Sequence, residues 1–397
     1  MGPTGVFPLV GLLLVALTCV ALLSRWFGAP SAAGRFATID GLRGYLAFAV
    51  FLHHACAWYF YLRTGRWELP PSPVYVHLGK SSVVLFFMIT GFLFSLKLID
   101  GRQRGVDWLK LYVSRVMRLT PLYLVAVAAL FVVVALLSEG QLRVPALSLV
   151  KQSLYWLAFT IPGTVDLNAT PDTCLVLACV TWSLRVEWLF YLFLPVLALC
   201  LGLAPPALSL LLAAVAVAVA WQVGLPLAAL VPFASGILAA LLTKLPRVCV
   251  LARHWGASVV ATLSLLATIA YFPSPHAAAP LALLTLVFAL IACGTDLFGV
   301  LRRGVSRLFG ELAYSLYLLH GLALFIAFRF VLDREWMAEV SSVTHWLLIA
   351  ALTPILIGTC FATFRWIERP GMDATDAVTA WIRRHLPRMT VVPKRPA

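Results

Sequence analysis

Residues 45–62 read YLAFAVFLHHACAWYFYL, a run without a single Asp, Glu, Lys or Arg. A helix needs about 17–25 such residues to cross the hydrocarbon core of a bilayer. His53 and His54 lie near the middle of the run, where an ionisable side chain is costly and usually functional. The stretch therefore predicts a membrane-spanning helix that carries a functional histidine.

The composition extends this interpretation to the whole chain. Of its 397 residues, 62% are hydrophobic and 12% are charged, whereas a soluble protein carries about 25% charged residues. Such an excess of apolar residues cannot be buried in one water-soluble core. The net charge of +14 comes from basic residues in short loops between apolar runs. We therefore attribute this charge to membrane topology rather than to nucleic-acid binding.

Apolar runs long enough to span a bilayer recur along the chain without an internal repeat. The predicted spans are 6–23, 45–62, 81–98, 119–137, 175–201, 206–222, 225–243, 256–272, 279–298, 312–332 and 345–366. We therefore predict an all-α integral membrane protein with about 11 transmembrane helices.

Positively charged residues are concentrated in alternate loops. Lys and Arg follow the first, third, seventh and ninth spans and fill the C-terminal tail, whereas residues 162–174 hold Asp166 and Asp172 and no basic residue. Because cytoplasmic loops carry the excess of Lys and Arg, we expect the N-terminus outside and the C-terminus in the cytoplasm. The first span lacks a basic leading region, so we expect an uncleaved anchor.

The eight cysteines lie mostly inside apolar runs, and none forms a CxxC pair or joins a histidine at metal-ligand spacing. We expect small core-filling residues, without a disulfide framework and without a metal site.

Arg43 and His54 lie on one face of the second span. At about 100° per residue, eleven residues leave His54 about 20° from the face of Arg43 and about 16 Å deeper. Imidazole is the usual general base near neutral pH, so we predict a catalytic role for His54 and Arg43. The alternative is a histidine whose hydrogen bonds are satisfied by a neighbouring helix.

Arg115 and Arg118 are three residues apart, ahead of Pro121. This spacing puts both guanidinium groups on one helix face, where they suit a phosphate group. Coenzyme A is a cytoplasmic molecule with a pyrophosphate and a 3′-phosphate. We predict that the two arginines bind it; the alternative is lipid headgroup contact.

A polar stripe lies inside the fifth span. Ser183, Glu187 and Tyr191 follow each other at four-residue intervals and share one helix face. Trp182 beside them is a candidate stacking platform for a sugar. We predict a catalytic role for Glu187 and substrate binding by the other three residues; the alternative is an interfacial aromatic belt with a charge pair between helices.

Two further residues share a face near the end of the chain. Tyr317 and His320 are three apart in the tenth span. They either orient helices or contribute to substrate binding.

Taken in order, these segments resemble the acyltransferase 3 family of bacterial multi-spanning O-acyltransferases. The motifs are Ile39-Asp40-Gly41-Leu42-Arg43-Gly44 with His54; Phe86-Phe87 with Thr90-Gly91-Phe92; Arg115, Arg118 and Pro121; Trp182-Ser183-Leu184 with Glu187, Tyr191 and Pro195; Tyr314 to His320; and Glu368 to Pro370. Thr90 stands where the family usually has Ser, and Thr120 departs from the commoner order. The resemblance covers roughly residues 35–370.

The resemblance implies a ten-helix acyltransferase domain over 35–370, an extra N-terminal span over 1–34 and a basic cytoplasmic tail over 371–397. It implies transfer of an acyl group, commonly acetyl, from cytoplasmic acyl-coenzyme A to a hydroxyl of a cell-surface carbohydrate or similar acceptor. Arg43 would pair with a phosphate of this co-substrate or with Asp40, and no permanently bound cofactor is expected. Transfer is either direct or through a separate extracytoplasmic acyl-accepting protein. The chain itself is expected in the inner or plasma membrane.

Two other classes of protein use polar residues in membrane helices. A proton-coupled transporter also needs buried His, Glu and Arg, but it is expected to show pseudo-symmetric repeats and helices broken by Gly or Pro at matching positions. Here the prolines cluster at the ends of spans. A non-catalytic scaffold gives no reason for a stripe of Arg43 and His54.

Overall fold

The computed structural model describes residues 2–28, 36–224 and 227–385, apart from the side chains of Phe27 and Leu227. Residues 29–34 of the predicted anchor, 225–226 of the seventh span and 386–397 of the predicted tail lie outside this part. The α-helices are α1 (Phe7–Phe27), α2 (Ala37–Thr64), α3 (Pro73–Arg104), α4 (Trp108–Leu137), α5 (Ala146–Leu157), α6 (Thr181–Cys200), α7 (Ala207–Gln222), α8 (Val231–Leu242), α9 (Pro246–Ala252), α10 (Trp255–Tyr271), α11 (Ala278–Cys293), α12 (Gly304–Glu311), α13 (Ala313–Ile326), α14 (Arg334–Glu339), α15 (Ser342–Thr363), α16 (Arg369–Asp373) and α17 (Thr375–His385).

Each predicted span overlaps a helix in the described residues. Seven helices are long and apolar enough to cross a membrane, and Ala228–Leu242 with Pro246–Ala252, bent by 104°, would make an eighth. The remaining three predicted spans correspond to the shorter apolar helices α7, α10 and α11. The chain is a multi-pass, all-helical membrane protein; the number of spans and the orientation stay predictions.

The fifth span differs from its prediction at its start. The sequence predicts a helix from residue 175, but α6 begins at Thr181. Thr173–Leu177 instead forms a short 3₁₀ turn, and Cys179 has a positive φ of 55°. This reversal brings the Cα atoms of Cys174 and Cys179 within 4.4 Å, and the two residues form a disulfide. The expectation that the cysteines only fill the core is therefore wrong for this pair, because the tight turn between them brings the two thiols together.

The chain divides into two compact units. Unit 1 consists of Met1–Phe92 and Val231–Phe361, and its central contact is the packing of α2 against α12 and α13. Glycines allow the backbones to touch: a Cβ atom on Gly41 would lie 2.0 Å from the carbonyl oxygen of Leu301, and one on Gly310 would lie 1.7 Å from that of Asp40. Only a residue without a side chain permits such contact, so α2 is held firmly in place.

A left-handed glycine ends α2. Gly65 has a φ of 68°, and its N–H donates to the carbonyl of Tyr61 at 2.8 Å, the usual arrangement at a helix C-terminus. The chain reverses there. Trp67 consequently folds back beside the last turns of α2.

Unit 2 consists of Leu93–Leu230 and Ala362–Ala397, and α4 is its scaffold. Asp107 caps α4, because its side chain accepts a hydrogen bond from the backbone N–H of Lys110 at 3.0 Å. Helix α16 approaches α4 so closely that a Cβ atom on Gly371 would lie 2.6 Å from the carbonyl oxygen of Met117. These contacts fix the segment that carries the two predicted phosphate-binding arginines.

Candidate functional site

His54 of α2 meets His320 of α13 in the core of unit 1. The Nδ1 atom of His54 lies 2.9 Å from the Nε2 atom of His320, and the two rings stack with centroids 5.0 Å apart. His320 is fully buried, and its own Nδ1 atom lies 3.0 Å from the carbonyl oxygen of Leu316. The fold thus joins two predicted site residues that belong to separate motifs.

The chemistry of the partners fixes the tautomers of this pair when both rings are neutral. A carbonyl oxygen only accepts, so the Nδ1 atom of His320 carries the hydrogen and its Nε2 atom is an acceptor. His54 must then donate from Nδ1. The lone pair of His54 is therefore on Nε2. A neutral imidazole held in one tautomer, with its basic nitrogen defined, is suited to general base catalysis.

The neighbouring histidine has a different environment. His53 is buried, and its Nδ1 atom donates to the carbonyl of Tyr75 at 2.8 Å. Its ring also rests on α3, where a Cβ atom on Gly79 would lie 2.6 Å from the ring. His53 therefore joins α2 to α3. The functional role of His54 stays a prediction.

Aromatic rings surround the histidine pair. Trp67 stacks on His54 with an interplanar angle of 6° and a centroid distance of 5.9 Å, and Trp58 contacts Trp67 edge-on. On the other side, buried Tyr317 lies with its ring 6.2 Å from that of His320. Sequence reasoning missed Trp67. The signal that could have revealed it is Gly65, which ends α2 and directs the chain back.

Arg43 is separated from the histidine pair along α2. The helix runs unbroken between Arg43 and His54, so eleven residues correspond to about 16 Å. Arg43 is half-buried beside the glycine contacts of α2, and the adjacent Tyr45 shares a 2.8 Å hydrogen bond with Ser306. The structure therefore places Arg43 on the predicted face but out of contact with the imidazole.

The predicted polar residues of unit 2 form a second group. Tyr191 is buried, and its hydroxyl donates to the carboxylate of Glu187 one turn earlier. The guanidinium of Arg115 interacts with the same hydroxyl and lies 5.1 Å from the ring centroid of Phe94. Tyr191 thereby links a cation on α4 to a carboxylate on α6, a connection that neither motif indicates alone.

The other two predicted residues of α6 differ in accessibility. The indole of Trp182 is 42% exposed, so it can contact a molecule outside the protein. Ser183 is buried, and its hydroxyl donates to the carbonyl of Val180 at 2.9 Å. Of these two predicted substrate-binding residues, Trp182 is the exposed one.

A basic cavity of about 400 Å³ lies in unit 2 between α4 and the C-terminal helices. Lys97 lies close enough to Lys110, Arg115 and Arg118 for electrostatic repulsion between the positive charges. The cavity is lined by Lys110, Ser114, Arg115, Arg118, Met372, Asp373, Thr375 and Asp376. Clustered lysine and arginine donors suit a phosphate group, as the spacing of Arg115 and Arg118 predicts.

The family model of acyltransferase 3, described as an acyltransferase domain, matches residues 36–365. The chain belongs to the acyltransferase 3 family. The match covers more than four-fifths of this acyltransferase and includes every predicted site residue, whereas α16 and α17 lie beyond it. Comparison with curated proteins and with solved structures gave no match. The family and the apolar helices together make the chain a multi-pass membrane acyltransferase.

Proposed function

We propose that this acyltransferase moves an acyl group, acetyl in the simplest case, from cytoplasmic acyl-coenzyme A to a hydroxyl of a cell-surface carbohydrate or similar acceptor. It would work in the inner or plasma membrane. The observation that carries the proposal is the hydrogen bond between His54 and His320, because it leaves a defined basic nitrogen inside a membrane domain.

The reaction uses His54 as the base. The acceptor hydroxyl gives its proton to Nε2 of His54 while its oxygen attacks the thioester carbonyl. The carbon–sulfur bond then breaks, and the departing thiolate recovers the proton from the imidazolium. His320 accepts the hydrogen bond from Nδ1 of His54 throughout, which holds the imidazole in one orientation. The acceptor oxygen belongs either to the carbohydrate itself or to a separate extracytoplasmic acyl-accepting protein.

Unit 2 supplies binding groups for the donor. Arg115 and Arg118 line the basic cavity and would hold the phosphates of coenzyme A. For Arg43 the two predicted partners stay open, a phosphate of the donor or Asp40. Glu187 reaches Arg115 through Tyr191, so we assign Glu187 to the orientation of this arginine. Charged hydrogen bonds of this kind fix both position and direction.

The exposed indole of Trp182 is the candidate contact for the acceptor. A sugar ring presents a face of C–H groups that packs on an aromatic ring, while its hydroxyls stay available to polar partners. Trp182 lies at the start of α6, in the region that the charge pattern predicts to be outside.

The proposal is tested with membranes that contain the protein and radiolabelled acetyl-coenzyme A. We expect label in a glycan or small alcohol, lost in His54→Ala and kept in His276→Ala. His276 is an exposed histidine of the 273–277 loop and provides a matched control. Uptake of label without covalent transfer would favour the transporter class. Wild-type transfer by His54→Ala would refute the assignment of the base.

A further inference from the structure

We propose that helix α17 covers the donor cavity and that Asp376 acts as an internal competitor for the phosphate groups of the acyl donor. The inference rests on the proposed function only for the identity of the ligand. Its geometry is entirely within unit 2. It concerns a segment beyond the residues matched by the family model.

Two ion pairs tie α17 to the first turn of α4. The Nζ atom of Lys110 lies 2.5 Å from a carboxylate oxygen of Asp376, and Arg383 lies 2.5 Å from Asp107. Asp376 and Arg383 are seven residues apart and therefore share a helix face. One face of α17 thus rests on the helix that carries the phosphate-binding arginines.

The lining of the cavity contains both basic side chains, which suit an anion, and acidic side chains. Lys110 and Arg118 of α4 line it together with Asp376 of α17. The carboxylate of Asp376 therefore pairs with a lysine that a bound phosphate would also contact. The Nε atom of Arg115 is buried and has no hydrogen-bond partner among the residues that the structure describes. The acidic residues of α17 therefore leave this atom of Arg115 without an acceptor, which is unfavourable for a buried donor.

The pair that closes the cavity is weak enough to be displaced. The side chains of Lys110 and Asp376 are 50% and 76% exposed, and exposed ion pairs contribute little stability. A phosphomonoester carries a charge of about −1.5 to −2 at neutral pH and three acceptor oxygens, whereas a carboxylate carries one charge. We expect a phosphate of the acyl donor to replace Asp376 as the partner of Lys110 and to bind the two arginines as well.

The experiment measures the Kd of adenosine 3′,5′-bisphosphate, the phosphate-bearing end of coenzyme A, for the purified full-length protein at low ionic strength. Asp376→Asn should tighten binding about two- to fivefold, a range typical of the loss of one exposed ion pair. Asp376→Glu should restore the wild-type Kd. In a Lys110→Ala background the Asp376→Asn change should have no effect, because the two residues act through each other. Glu339→Gln, an exposed change on α14 of unit 1, is the charge-matched control.

The outcomes separate the two proposals. If the wild-type protein binds the bisphosphate and Asp376→Asn binds it equally well or more weakly, the proposed competition by Asp376 is refuted. The proposed donor site is then unaffected. A protein that binds no bisphosphate in any variant overturns both. Measurements in neutral and in anionic nanodiscs distinguish the nucleotide from a lipid headgroup: an effect of Asp376→Asn seen only as tighter contact with anionic lipid would contradict the nucleotide as occupant.

Discussion

His54 and His320 form one hydrogen-bonded pair, although 266 positions separate them in the chain. The carbonyl of Leu316 fixes the tautomer of His320, and His320 in turn fixes that of His54. The position of the lone pair in the candidate site therefore depends on two helices, and substitution of His54 should differ in its effect from substitution of His320.

Replacement of His54 by Ala removes the proposed base. General base catalysis contributes about 10²- to 10⁴-fold, so we expect kcat of acyl transfer to fall by at least about 10²-fold. Membrane insertion should be unchanged, as judged by the yield and elution profile of the purified protein. A kcat within about threefold of the wild-type value would be inconsistent with the role of a base that supplies factors of this size.

Replacement of His320 tests a positioning role. His320→Leu removes the acceptor for Nδ1 of His54, and we expect kcat to fall about tenfold, as for the loss of one hydrogen bond to a charged group, with KM for acyl-coenzyme A unchanged. His320→Gln retains an acceptor oxygen and should recover most of the activity. A merely structural role predicts that both variants lose stability and that Gln gives no rescue, which thermal unfolding and kcat together reveal.

Tyr191→Phe tests the link between Glu187 and Arg115. The change removes the hydroxyl that contacts both residues, so we expect KM for acyl-coenzyme A to rise about tenfold while kcat changes less. Tyr123→Phe is the matched control, because it also loses a buried hydrogen bond in unit 2, to the carbonyl of Trp156 at 2.6 Å. Equal effects of both substitutions on KM would argue against a specific link.

Gly310→Ala tests the contact of α12 with α2. The added Cβ atom would lie 1.7 Å from the carbonyl oxygen of Asp40, and overpacking of this kind costs about 1–3 kcal/mol or more. We expect a lower Tm of the purified protein. Gly358→Ala on α15, where nothing lies within 4 Å of the new atom, should leave Tm unchanged or slightly raised. The same Tm for both variants would contradict the close approach.

The disulfide between Cys174 and Cys179 provides a test of the predicted orientation of the chain in the membrane. Disulfides persist in oxidising compartments, and the charge pattern predicts that this loop lies outside. In intact cells, a membrane-impermeant reductant should therefore make both cysteines reactive to maleimide, with Cys174→Ser and Cys179→Ser as the labelling controls. Reaction only after permeabilisation would place the loop in the cytoplasm and reverse the predicted topology.

Local patterns in the sequence predict the helices and the polar residues, because apolar length and helical spacing depend on neighbouring positions. The stripe of Arg43 and His54 and the face shared by Glu187 and Tyr191 are of this kind. The pairing of His54 with His320 depends on how distant helices pack, which periodicity does not encode. Trp67 and the Cys174–Cys179 disulfide depend on turns that end or precede helices, and the apolar composition around residue 175 conceals the second turn.

The predicted basic tail shows a related limit. Its composition indicates a cytoplasmic segment, but the described part forms α17 and pairs with α4 through Asp376 and Arg383. These two residues are a minority of the charges in the segment, so net charge gives no indication of them. Their effect depends on a spacing of two helical turns and on a complementary pair at the start of α4.

The glycine contacts of α2 restrict how the enzyme can work. The backbone of α2 touches its neighbours at Gly41, Gly44 and Gly310, and packed backbones leave no free volume for sliding. We therefore expect α2 to move as one body with α12, and the proposed base His54 to keep its place during turnover. If His54 is the base, both substrates must reach it without movement of α2, and we expect any gate that separates the two sides of the bilayer to be built from other helices.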